Sequence, residues 1–389
     1  MEITLVIDQY VGNDGKVNNG TTMTALRFAQ KLKEHGHKVK VVTATPNDDE
    51  NIYVVPKLTI PLFQWIMDAQ GMSFAKVDKK TIEEAFKGSD IVHFLMPFRL
   101  QKKGKEIADK MGIATTAAFH VQPENITYTI GLGKVKPLNK LIYTIFRNGF
   151  FNKFNHIHCP SNMIKNQLIK NKYKGNLHVI SNGVEEGFEK RDVAKPDKYK
   201  DKIIVLMIGR YSKEKRQDLI IKAIANSKYK DKIVLILCGR GPWQRGLEKL
   251  AKKYGVEVEF KFCQKDELID VINYSDIYVH ASDIEIEAIS CMEAFTCGLP
   301  PIISDSKLSA TNQFALTEHN LFKKGDYKDL TKKIEFFIEN PDVKKELSDK
   351  YIEYAKQFQL DYCVRELEKV FEQAIKEKKE ELKQKNEQK

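Results

Sequence analysis

Residues 282–305, SDIEIEAISCMEAFTCGLPPIISD, decide the fold. Two glutamates in this stretch, Glu285 and Glu293, stand eight positions apart. The second lies on an apolar run that reads as a helix ending at Cys297-Gly298. Pro301–Ser304 reads as the buried strand that follows. Eight positions are just over two helical turns, so the spacing predicts one carboxylate at the helix mouth and one two turns in, facing a common ligand. Upstream, 277–281 is apolar and reads as a strand. The unit is strand, loop, helix, strand, and its helix N-terminus suits an anion.

On either side of this unit the pattern repeats. The second half reads as strands Ile203–Ile208, Ile233–Cys238 and 257–262, with helices near 217–226, 243–254 and 267–273. The first half reads as strands at 3–7, Lys38–Thr43, 91–95, 115–119, His156–Cys159 and 178–180, a helix at 22–35, and further helical patterns between the later strands. Such alternation predicts an α/β protein with parallel sheets covered by helices on both faces. A chain of 389 residues exceeds one ordinary core and fits two domains. The boundary is placed in 185–201, EEGFEKRDVAKPDKYKD, which is charged, aperiodic and interrupted by Pro196. The expected division is 1–185, 200–355 and a C-terminal segment 356–389, in which an amphipathic run precedes a Glu/Lys/Gln-rich tail.

Several function classes drop out. A hydrophobic content of 42% argues against wholesale disorder. The six cysteines are scattered without a framework and read as reduced, mostly buried thiols. Cys291 and Cys297 lack metal-ligand spacing, and His156, His158 and Cys159 share a strand that splays neighbours to opposite faces, so no metal site is expected. Met1 opens directly into a strand, and no window approaches the roughly 18 apolar residues of a membrane span. The expectation is a cytoplasmic protein.

The net charge of +11 is unevenly spread. Residues 125–184 contain no aspartate or glutamate, and they carry Lys134, Lys136, Lys140, Arg147, Lys153, Lys165, Lys170, Lys172 and Lys174. Leu138, Leu141, Ile142, Tyr143, Ile145, Phe146, Phe150, Phe151 and Phe154 are interleaved with them. A surface of Lys/Arg and aromatic residues is drawn to anionic lipid, each basic residue contributing about 1 kcal/mol near such a surface. The expected membrane contacts are Lys134, Lys136, Lys140, Arg147, Phe150, Phe151 and Lys153, holding the protein peripherally on the inner face of the cell membrane. The alternative is that 141–154 faces the core and the lysines are merely solvated. No nucleic-acid module accompanies the charge, so nucleic acid is not an expected partner.

Two glycine-bearing loops follow strands in the second half. Gly209-Arg210 comes after Ile203–Ile208, with Lys215 five positions beyond the arginine, and Gly239-Arg240-Gly241-Pro242 comes after Ile233–Cys238. In open α/β sheets ligands bind beyond the carboxyl ends of the strands, and glycine there lets the backbone approach a phosphate or base. Two cations and a helix N-terminus can stabilise a departing diphosphate without a metal.

These motifs, in this order and with Ser181-Asn182-Gly183-Val184 between the halves, resemble the family-4 nucleotide-sugar glycosyltransferases, whose signature is the pair Glu285…Glu293. The resemblance spans nearly the whole chain. It implies the GT-B fold, two Rossmann-like doubly wound domains facing a cleft, and transfer of a hexose with retention of configuration. It implies that Arg210 and Lys215 bind the donor diphosphate, Glu293 the ribose hydroxyls and Glu285 the transferred sugar, with Gly209 and the loop of Gly239, Gly241 and Pro242 near the nucleotide. Asn18-Asn19-Gly20-Thr21-Thr22 looks like the family's N-terminal glycine loop, with Gly20 near the donor and Thr21 or Thr22 capping the helix. His120, after a strand, would hydrogen-bond the transferred sugar. The last helix would cross back to the N-terminal domain.

The chain departs from the family at Glu285-Ile286-Glu287-Ala288, where many members have Glu-Gly-Phe-Gly, and in carrying the single Gly20 where many have two glycines. These departures, with 119–124 and Leu308-Ser309-Ala310-Thr311-x-Gln313-Phe314-Ala315-Leu316, look like the branch containing the Helicobacter sterol α-glucosyltransferase. Related members glycosylate diacylglycerol. The resemblance thus implies transfer from a UDP-sugar, glucose favoured, to a membrane lipid hydroxyl, with no bound cofactor and no required metal. The alternatives are a soluble acceptor in polysaccharide synthesis, or a non-catalytic cationic binding protein. Donor epimer, acceptor and oligomeric state stay open.

Overall fold

A computed structural model describes residues 1–13, 15, 20–59, 73–129 and 135–387. It divides into two compact units, Met1–Asn182 with Leu360–Lys389, and Gly183–Gln359.

In the first unit, β1 (Glu2–Val6), β2 (Lys38–Thr43), β3 (Ile52–Val54), β6 (Ile91–Phe94), β7 (Ala114–Ala118), β8 (His156–Cys159) and β9 (Asn176–Val179) form a parallel sheet in the order β3-β2-β1-β6-β7-β8-β9. The short strands β4 (Lys57–Leu58) and β5 (Phe74–Ala75) pair antiparallel beside it. The Asp8 carboxylate ties this pair down, accepting from the Ala75 N–H at 2.9 Å and from Gln101 at 2.7 Å. Burial pushes the Asp8 carboxyl up to about 6.

β7 is built of small residues, which lets the C-terminal helix Leu360–Glu387 pack against the sheet. Val364, Leu367, Val370, Phe371 and Ala374 on that helix are buried in the core of this unit. Polar pairs fix the helix along its length. His35 bonds Asp361 at 2.8 Å and Glu368 at 2.6 Å, His37 bonds Glu368 at 3.1 Å, and His156 bonds Glu377 at 2.8 Å.

In the second unit, β10 (Ile203–Ile208), β11 (Ile233–Cys238), β12 (Glu257–Lys261), β13 (Ile277–His280), β14 (Pro301–Ser304) and β15 (Leu321–Phe322) form a parallel sheet in the order β12-β11-β10-β13-β14-β15. β10 and β11 are nearly continuous apolar runs, as strands covered on both faces must be, and their side chains make the core with the flanking helices. Strand order reverses between β10 and β13, so the ends of these two strands flank the switch point where ligands bind in open sheets.

The stretch 185–201, read as the polar boundary, folds onto the second unit. Phe188 and Tyr199 are anchors buried in its core, and Lys195 bonds Asp276 at 2.7 Å. Val193 packs against the same core, so a few apolar residues in a charged run recruit it.

Candidate functional site

The site in the second unit begins with two mated loops. After β10 the chain turns through Gly209, and after β11 through Gly239 and Gly241. The Tyr211 N–H donates to Arg240 O at 3.0 Å, and the Trp243 N–H donates to Tyr211 O at 3.2 Å. A Cβ on Gly239 would lie 2.1 Å from Gly209 O, and one on Gly241 would lie 2.3 Å from Tyr211 O. Glycine at 239 and 241 is therefore required by the approach of one loop's backbone to the other's, whereas the sequence suggested approach to a ligand. Pro242 is exposed just beyond. The Arg240 guanidinium lies 3.7 Å from the centre of the half-exposed Phe262 ring.

Arg210 is exposed at the end of β10, and its guanidinium makes no hydrogen bond or ion pair among the described residues. Lys215 ends a short 3-10 turn, Lys213–Lys215, and its stem passes over Gly209. Its ammonium donates to Glu285 Oε1. On the same oxygen His280, the last residue of β13, bonds through Nε2 at 3.1 Å. Oε2 of Glu285 accepts no hydrogen bond among the described residues. Burial disfavours the Glu285 charge, but Lys215 and His280 outweigh it and hold the carboxyl at about 2.

Glu285 does not sit at the helix mouth. The helix is Ile289–Thr296, and Glu285 lies in the preceding segment, in a parallel bridge with Ser309. Its N–H donates to Leu308 O at 3.3 Å and its carbonyl accepts from the Ala310 N–H at 2.9 Å. The Leu308–Thr311 stretch, met in the sequence as a mark of resemblance, thus clamps the Glu285 backbone. Glu293 is buried on the helix, at 7% exposure. Burial pushes the nearby Tyr278 phenol well above its usual range, with the negative charges of Glu285 and Glu293 adding to it.

A second layer escaped the sequence reading. Arg216 bonds Asp218 at 3.1 Å and Asp283 at 3.2 Å, and Lys324 stands 3.7 Å from Asp283. His280 was also missed, although the logic applied to His120, a histidine at the carboxyl end of a strand, would have found it.

In the first unit, His120 follows β7 and is 7% exposed, more enclosed than its position suggested. Its ring lies edge-on to His158 at 5.4 Å, and His158 stacks with His93 at 6.3 Å. Burial, reinforced by these neighbours, keeps the His120 imidazole neutral. Gly20 is exposed at the first position of the helix Gly20–Glu34. Thr21 and Thr22 therefore lie inside the helix and do not cap it, and Thr22 instead donates to Gln9 O at 3.1 Å. Asn18 and Asn19 lie outside the described residues.

The expected membrane contacts split. Lys136 and Lys140 are exposed on the helix Lys136–Gly149, Arg147 donates to Asn171 O at 2.8 Å, and Lys153 is exposed. Phe150 and Phe151 are corrected to core residues, both 0% exposed and packed against each other and Phe94, Phe119 and Phe154. The helix breaks at Gly149, which turns both rings inward. Leu141 and Ile145, one turn apart, are instead the apolar side chains left outside, at 56% and 51% exposure. Lys134 lies outside the described residues.

Two consecutive family matches cover most of the chain. Residues 18–188 match Glycosyltransferase Family 4, and residues 188–358 match Glycosyl transferases group 1. The chain belongs to this glycosyltransferase family and has its two-domain GT-B architecture, so it is a hexosyl-transferring enzyme by class. Among relatives, alpha-monoglucosyldiacylglycerol synthase of Streptococcus pneumoniae is 24% identical over 78% of this chain and 70% of its own. The catalytic domain of cholesterol-alpha-glucosyltransferase from Helicobacter pylori is 44% identical over 39% of this chain and 96% of its own, with a TM-score of 0.39. Anabaena HepE in complex with UDP is 14% identical, covers 96% of this chain and all of its own (100%), and superposes with a TM-score of 0.74. Among the described residues no helix is long and apolar enough to cross a membrane.

Proposed function

We propose that the protein transfers glucose from UDP-glucose to the hydroxyl of a membrane lipid, with retention of configuration. The observation that carries this is the Lys215–Glu285–His280 cluster at the β10/β13 switch point, with the exposed Arg210, unpaired among the described residues, directly following the Gly209 over which the Lys215 stem passes. A departing diphosphate develops negative charge, and Arg210 and Lys215 supply fixed positive charge where it forms. Glu285, kept ionised, offers Oε2 to a sugar hydroxyl, and Glu293 is assigned to the ribose. In this reading the acceptor attacks the anomeric carbon from the face the diphosphate leaves, and a phosphate oxygen takes its proton. Charge neutralisation rests on side chains, so added metal is not required.

The lipid acceptor is supported by the name of the Streptococcus pneumoniae relative and by the helix Lys136–Gly149. Its exposed Leu141 and Ile145 flanked by Lys136 and Lys140 suit an anionic bilayer surface. Docking there, on the inner face of the cell membrane, brings the enzyme to its acceptor.

The test is transfer from radiolabelled UDP-glucose and UDP-galactose into liposomes containing cholesterol or diacylglycerol, with EDTA present. Label in the organic phase from UDP-glucose is the expected result. Label only in water-soluble product would replace the lipid acceptor with a soluble one. Near-normal transfer by a folded Arg210→Ala variant would refute the assignment of the diphosphate site.

A further inference from the structure

Glu285 Oε1 carries two donors, and they differ in kind. Lys215 is a rotatable ammonium on a flexible stem, and as a point charge it could serve either carboxylate oxygen. His280 is a rigid ring fixed on β13 and 0% exposed. Both of its nitrogens are bonded, Nε2 to Glu285 at 3.1 Å and Nδ1 to the Tyr278 hydroxyl at 3.1 Å. Tyr278 lies two residues back on the same strand, so both side chains project from one face. Its hydroxyl is in turn 3.3 Å from Ser290 Oγ, near the start of the helix that carries Glu293.

The charge states set the direction of this chain. An ionised carboxylate only accepts, so His280 Nε2 carries a proton. Burial opposes a charge on the His280 imidazole more strongly than Glu285 favours it, so the ring is neutral and Nδ1 is bare. The Tyr278 O–H is the group that can donate to Nδ1, which fixes the tautomer; its one proton is then committed, so the Ser290 hydroxyl is the donor in the 3.3 Å contact with Tyr278.

We propose that His280, held in its Nε2–H tautomer by Tyr278, is the positioning residue that locks both protein donors onto Glu285 Oε1 and so presents Oε2 to a hydroxyl of the transferred hexose. This rests on the reading of Glu285 as the sugar contact. Oε2 can only accept, so it selects a hydroxyl that points at it. Without His280, Lys215 can pull the carboxylate about its last torsion and the aim is lost. His280 acts through Glu285 and touches neither the nucleotide nor the reacting atoms.

The experiment compares binding of UDP and UDP-glucose by calorimetry, with transfer kinetics, for wild type, His280→Ala, His280→Gln and Tyr278→Phe. Each variant is first checked for a wild-type melting profile. A hydrogen bond to a charged group corresponds to about 10- to 100-fold, so His280→Ala is expected to lose that much in kcat and in the preference for UDP-glucose over UDP. UDP affinity itself should stay unchanged. His280→Gln, whose amide places an N–H near the imidazole Nε2–H, recovers part of the loss, and Tyr278→Phe gives a smaller loss of the same kind. In a Glu285→Gln background, His280→Ala should add little.

Equal losses for UDP and UDP-glucose would show a merely structural role and overturn the proposal. So would multiplicative effects in the double variant, or wild-type behaviour of both His280→Gln and Tyr278→Phe should His280→Ala fail to fold. A wild-type enzyme that binds UDP-glucose no better than UDP would instead overturn the reading of Glu285 on which the proposal stands.

Discussion

Ala288 carries its backbone at φ 66, in the left-handed region where a Cβ crowds the following carbonyl. It stands where the family resemblance leads one to expect glycine, and its backbone takes a conformation that glycine adopts without cost. The strain lies three residues from Glu285 and at the entry to the Glu293 helix. Ala288→Gly should raise stability by up to about 1 kcal/mol, the relief of strain exceeding the added freedom of the unfolded chain. Thermal melting reads this, and an unchanged or lower midpoint would show that the segment is not strained. Lys215 makes the opposite case. Its removal leaves the half-buried Glu285 carboxylate with the neutral His280 as its remaining side-chain partner among the described residues, and Lys215→Ala should cost about 1.5–3 kcal/mol together with transfer activity. The carboxyl is held at about 2 against an ordinary 4.5, so the contribution of Glu285 to stability is present above pH 4.5 and fades as pH falls toward 2. In the Lys215→Ala variant that loss sets in at higher pH, which acid titration of the melting temperature would reveal.

At the scale of elements, the turns after β10 and β11 behave as one part. Gly241→Ala drives a Cβ into the Tyr211 backbone, which has no flexible end to give way. The two loops must separate, and a displacement of about 1 Å near the reacting groups can cost about 100-fold in turnover. Calorimetry with UDP should show weakened binding, and unaltered binding would mean that the loops are not coupled. The helix Lys136–Gly149 gives an independent test. Replacing Leu141 and Ile145 together by aspartate should lower partition onto anionic liposomes at least about tenfold, since each apolar side chain lost from the bilayer boundary forfeits on the order of 1 kcal/mol or more. Sedimentation with vesicles measures it, and transfer to a soluble analogue of the acceptor should be spared. Phe150 and Phe151 belong to a different category. Their replacement should unfold the first unit before it affects membrane binding.

Across the whole molecule, the notable device is the C-terminal helix, which leaves the second unit at Gln359 and packs into the first. Its anchoring is partly ionic and therefore depends on pH. Burial opposes a charge on His35, but the bonds to Asp361 and Glu368 outweigh it and raise its affinity for the proton. A raised histidine stabilises the folded state fully below its ordinary value of 6.5, and that contribution is lost as pH rises through the higher folded value. Amide exchange along the helix should therefore be slower at pH 6 than at pH 8.5 after correction for the intrinsic rate. His35→Gln should flatten that difference. A helix equally protected at both pH values would place its stability in the apolar contacts of Val364, Leu367 and Phe371 alone.

Some of this was legible in the chain itself. Strand order along the sequence, the buried character of β10 and β11, and the glutamate pair with its basic loops all follow from apolar period and local motif, which neighbours in sequence determine. The two-unit α/β plan came from the same source. Tertiary structure decided the rest. The sequence placed Glu285 at a helix mouth, but a bridge to Ser309, 24 positions away, holds it in an extended segment. Phe150 and Phe151 looked like a membrane patch because aromatic residues beside lysines read alike whether they face in or out. Only the break at Gly149 settles which way they turn. The glycines at 239 and 241 answer to a neighbouring loop, and His280 acquires its place from Tyr278 and Glu285. Periodicity fixes which elements form, because it depends on residues a turn or a strand apart. Contacts between distant segments fix what each side chain does, because the groups that set its charge and direction are brought to it only by the fold.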